Sequence, residues 1–144
     1  MMRRKSPVLG VPEIVVPETP TLDKLRDITR WKSYIERALA YGDGSRTYDD
    51  VAEMVAAGRA LLWPGPASCV ITETILEPRS KSLHFFLAAG EMRELEIMAP
   101  HILAWGKSEG CTTASLIGRK GWTRSFLART GWRQLPLVIM QKDL

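Results

Sequence analysis

Two side chains near the middle of the chain are of the kind that move protons near neutral pH. Glu73 stands in "VITETI", where strand alternation places it on one face with Ile71 and Ile75. A carboxylate on an apolar face has a raised pKa and can work as a general base. On a strand face open to water it would be a solvated acid and nothing more. His84 stands in "LHFFL", where it can accept a proton directly or through a water. Its plainer role is a local hydrogen bond. Arg119 follows Gly118 at the end of "CTTASLIG", and its guanidinium fork suits a phosphate or a carboxylate. Its structural alternative is to tie down the segment that follows.

The stretch "GRKGWTRSFLARTGW", residues 118–132, is dense in tryptophan and arginine. Trp122 and Phe126 are four residues apart and are expected to bury together, with Trp132 entering the core after them. On a helix Arg124 and Arg129 would point about 140° apart. Arginines aimed in different directions make no phosphate-tracking stripe, so nucleic acid is not expected as a partner. The net charge is +4, with basic residues at 3–5 and across 119–142 and an acidic balance between them. Cys69 and Cys111 have no CxxC spacing, and His84 and His101 have no ligand cluster around them. They read as buried thiols in a reducing compartment with no metal.

These residues need elements to hold them. The chain has 144 residues, 45% hydrophobic and 25% charged, which suits one globular domain. No apolar run approaches the length of a membrane span, and the N-terminus lacks a signal-peptide core. Residues 1–20 hold four of the nine prolines and read as an extended arm that docks on the domain or on a protein partner. A helix is expected from Thr21, with an apolar stripe of Ile28, Trp31, Ile35 and Leu39. Thr47 and Asp50 have the spacing of a capping box for a second helix, closed by Gly58. Three strands in a meander come next: "ALLW", "CVITETIL" and "LHFFLAAG". A helix from Glu91 to Glu109 follows, with Leu95, Met98, Ile102 and Trp105 as its stripe and Pro100 as a kink or a second start. "CTTASLIG" reads as a strand, "WTRSFLART" as a short helix closed by Gly131, and "QLPLVIMQ" as a last edge strand.

The order is thus α-α-β-β-β-α-β-α-β, an α+β fold with a mixed sheet whose later strands form a right-handed parallel crossover. This order over residues 21–144 resembles the GNAT (GCN5-related N-acetyltransferase) fold without its first strand. "WTRSFLARTGW" is similar to the late GNAT helix, with Gly131-Trp132 in place of its Gly-Phe ending. The extended arm with "GRKGW" resembles short GNAT-like proteins of tailed phages and prophages.

The resemblance implies acetyl transfer from acetyl-CoA to an amine in the cytoplasm, which would be the host's if the chain is phage-encoded. Glu73 or His84 would be the base. The backbone of Phe86, Leu87 and Ala88 would align the pantetheine, and Gly90 to Arg93 would face the pyrophosphate, with Arg119 near a phosphate. The family's glycine-rich loop is reduced to Gly90 in "LAAGEMREL", with Glu91 beside it. The thiolate-protonating tyrosine falls at Leu127. The same resemblance therefore also implies a noncatalytic alternative: a virion or internal capsid component docking through residues 1–20.

Overall fold

The computed structural model describes residues 27–144, so the proline-rich arm and the start of the first helix lie outside the described residues. A helical turn at residues 27–29 leads into α1 (Lys32–Leu39). Ile28, Trp31 and Ile35 are buried along its stripe, and Leu39 is half-buried at its end. Helix α2 (Tyr48–Ala56) starts at the expected capping box. Thr47 Oγ1 accepts from the Asp50 N–H, and the Asp50 carboxylate accepts from the Thr47 N–H at 2.8 Å. These bonds hold the Asp50 pKa below the usual carboxylate range.

The meander is present as β1 (Leu61–Pro64), β2 (Ser68–Glu77) and β3 (Ser80–Gly90), each antiparallel to the one before. Helix α3 (Met92–Ser108) then crosses over to β4 (Thr113–Leu116), which lies parallel to β3 at the sheet edge. Pro100 sits inside α3 without dividing it into two elements. The missing Pro N–H is tolerated because Pro100 is on the exposed side, while Leu95, Ala99, Ile102 and Trp105 are buried.

The sheet divides two cores. On one face α1 and α2 close over Cys69, Ile71 and Leu87. On the other, α3 and the segment after β4 close over Trp63, Val70 and Leu83, with Phe126 and Leu127. Trp63 Nε1 donates to Thr72 Oγ1 at 2.9 Å, so that core's buried hydroxyl is satisfied. Among the described residues no helix is long and apolar enough to cross a membrane.

The chain after β4 differs from the expected pattern. In place of the late helix there are two 3₁₀ turns, Lys120–Arg124 and Phe126–Arg129. Ser125 separates them: its hydroxyl donates to the Trp122 carbonyl at 2.7 Å and accepts from the Leu127 N–H. Local bonds of this kind compete with the helical ladder and end it. Phe126 is nonetheless buried, Trp122 packs half-buried beside it, and Trp132 meets Phe85 edge to face at 5.7 Å. The expected last strand also fails to form, and among the described residues none follows Leu116. A strand needs a ladder partner, and Pro136 removes one donor from this segment. Leu137 to Met140 consequently stand 74% to 88% exposed.

The two cysteines are free and unlike each other. Burial pushes the Cys69 thiol up to about 12, which leaves it inert at neutral pH. Cys111 is only half-buried, so the expectation of two buried thiols holds for Cys69 alone. A thiol reagent such as DTNB should titrate one thiol slowly in the native protein and two after unfolding in guanidinium. Two fast native thiols would contradict the burial of Cys69.

Candidate functional site

Strand β3 is eleven residues long, but β4 accompanies it only from Ser82 to Phe85. Beyond that point the two strands part. Phe86 to Gly90 stay alongside β2 on one side and, among the described residues, have no strand on the side facing β4. A bulge sits at the parting point: Thr72 opposes Phe85, Ile71 opposes Leu87, and Phe86 is the extra residue. A bulge leaves one backbone unit out of the ladder and re-aims the side chains after it. The outcome is a groove of about 1220 Å³ between the outer half of β3, the end of β4 and the α1–α2 loop.

Three polar side chains form a row across the sheet at the base of this groove. Glu73 on β2 opposes His84 on β3, and His84 is in register with Ser115 on β4. His84 Nδ1 lies 3.0 Å from Ser115 Oγ. All three are half-buried, and Glu73 and His84 line the groove. Burial lowers the His84 pKa, partly offset by the charge of Glu73. The imidazole is thus mainly neutral at pH 7 and able to accept a proton.

The other expected residues divide. Phe86, Leu87 and Ala88 line the groove, as does Arg119. Gly90 lines it too, but its lack of a side chain has a different cause. Its φ is +118°, and a Cβ there would lie 2.3 Å from the Ala67 carbonyl oxygen and 2.5 Å from Ser68 Cα. Gly90 therefore lets β3 leave the sheet against the start of β2, a packing requirement that needs no ligand. Arg93 is exposed in the first turn of α3, and its side chain is not among those lining the groove. Glu91 does face the groove, and its N–H is taken by Ser68 Oγ at 2.8 Å.

The α1–α2 loop contributes groups absent from the sequence-based list. Tyr41 lies under the Arg119 guanidinium at 3.8 Å from ring centre, and Arg46 stacks over Phe86 at 5.0 Å. Ser115 was also not anticipated. Its only signal was its alternation with Thr113 in a short strand, and pairing it with His84 required the parallel register.

No family model matches this chain, and no curated protein does either. Solved structures do match in shape. TTHA1254 from Thermus thermophilus, in its wild-type form, superposes with a TM-score of 0.58 at 13% identity, covering 83% of this chain and 92% of that one. A single-substitution form of the same protein gives 0.60 over the same shares at the same identity. A tetramutant of BH1408 from Bacillus halodurans gives 0.56 at 13% identity, covering all of both chains. At this identity the likeness shows a shared fold and nothing about activity.

Proposed function

We propose that the chain is a GNAT-like acyltransferase that moves an acetyl group from acetyl-CoA to an amine. One observation supports this above the others: β3 and β4 part at Phe86, so that among the described residues the edge of β3 from Phe86 to Gly90 that faces away from β2 has no strand partner along the wall of a large groove. An extended amide-bearing arm such as pantetheine can pair with that backbone as a strand would. Backbone pairing does not depend on side-chain identity, so it survives the reduced glycine loop. The first turn of α3 supplies N–H groups for the pyrophosphate. Bound acetyl-CoA would supply the activated thioester.

His84 takes the proton from the amine as its nitrogen bonds to the acyl carbon and the carbon–sulfur bond breaks. Ser115 holds the ring, and the charge of Glu73 across the strand pair favours its protonated form. Leu127 replaces the family's acid, and a thiol with a pKa of about 8.5 can leave as thiolate and collect its proton from solvent.

The second reading is a noncatalytic GNAT-like module in a larger assembly, such as a phage particle. Gly90 favours it, because packing against β2 accounts for that glycine without a cofactor. Calorimetric titration of CoA and acetyl-CoA separates the two readings. Binding in the micromolar range is expected, tightened about threefold to tenfold in Glu91→Gln, where a carboxylate facing the pyrophosphate is removed. No heat up to roughly millimolar cofactor in either form sinks the acyltransferase and leaves the module.

A further inference from the structure

We infer that the groove takes an amine carrying its own anionic group, a phosphate or carboxylate, held by the α1–α2 side of the site. Three guanidiniums line that side: Arg37, Arg46 and Arg119. Each lies over an aromatic ring, Arg37 on Tyr34 at 5.0 Å, Arg46 on Phe86 at 5.0 Å and Arg119 on Tyr41 at 3.8 Å. Stacking fixes the plane of a guanidinium while leaving its edge N–H groups largely free for a planar or tetrahedral anion.

Their local bonds are few. Arg37 Nε reaches the Ser33 carbonyl at 3.4 Å, and Arg46 reaches Met54 Sδ at 3.1 Å. Among the described residues none of the three has a carboxylate within ion-pair distance; the ion pair found joins Arg129 to Glu96, away from the groove. The nearby acids are otherwise engaged. Asp43 accepts from the Ser45 N–H, and Asp50, which feels the Arg46 charge, is bonded into the Thr47 cap. Glu73 opposes His84.

Guanidiniums gathered on one side of a groove, none in ion-pair contact with a carboxylate among the described residues, favour an anion entering between them, although Asp43, Glu73 and Glu91 line the same groove. Arg46 stacks on Phe86 at the bulge, two residues along β3 from His84. An anion on Arg46 and Arg119 would therefore leave a short amine arm reaching toward His84. The role of that amine as acyl acceptor rests on the acyltransferase reading; the anion site itself does not.

Matched probes test this. Phosphoethanolamine is compared with ethanolamine, and β-alanine with β-alaninamide, by NMR of the arginine Nε–H signals and by calorimetry. The anionic member of at least one pair should bind about tenfold tighter or more, and which pair responds tells phosphate from carboxylate. Arg46→Gln and Arg119→Gln should each weaken that binding severalfold while the fold, checked by circular dichroism, is kept. Equal binding within both pairs, or anion binding that ignores both substitutions, overturns the inference. A parallel titration with acetyl-CoA keeps the two proposals apart. Anion binding without cofactor binding leaves the site standing and removes acyl transfer. Cofactor binding with no preference for charged amines does the reverse.

Discussion

Gly90→Ala should lose about 2 to 6 kcal/mol of folding stability, which is a large part of what a chain of this size holds. Two independent penalties add at this position. An L-residue at φ +118° is strained, and the new methyl would overlap the Ala67 carbonyl and Ser68 Cα, which are backbone atoms that cannot rotate aside. Gly58 is the matched control. It has φ +77° but nothing within 4 Å of its would-be Cβ, so Gly58→Ala should cost only the conformational part, about 1 to 2 kcal/mol. Denaturant melts of both variants decide it. Similar losses at the two positions would mean that β3 does not press on the start of β2 as described.

The second large effect is expected at His84. On the acyltransferase reading, His84→Ala lowers kcat/KM about 10²- to 10⁴-fold and abolishes the acidic limb of the pH profile. Glu73→Gln should move that limb to lower pH, because the Glu73 charge is what raises the His84 pKa against burial. The same shift is readable without turnover, by NMR titration of the imidazole. Stability follows with a definite sign. Folding depresses this pKa below its usual value near 6.5, so the unfolded chain binds the proton more readily. The contribution of the neutral ring is complete above that value and is lost as pH falls through it toward the folded pKa. A limb that survives in His84→Ala would place the base elsewhere.

Much of the architecture was legible because it depends on local chemistry. The Thr47–Asp50 box, Gly58, and the apolar stripes of α1 and α3 were readable from spacing alone, as were the turns of the meander. The errors came where a local signal was outweighed. "WTRSFLART" has helical spacing, but the Ser125 hydroxyl bonds its neighbours and splits it into two turns. "QLPLVIMQ" has strand composition, but composition cannot supply a ladder partner.

The candidate site was half legible for the same reason. Glu73 and His84 were readable as single residues of the right type, and Glu73 does share a face with Ile71. Their meeting in one row with Ser115 depends on two strand registers and a parallel crossover. Likewise Arg46, Tyr41 and Phe86 come together only because the α1–α2 loop lies over the bulge in β3. The sequence by itself determined which segments would be helix or strand wherever periodicity and caps agreed, since those are set within one or two turns of chain. Only the tertiary structure decided where β3 and β4 part and which side chains face the gap. Long-range register and a bulge are properties of paired strands, and no single strand encodes them.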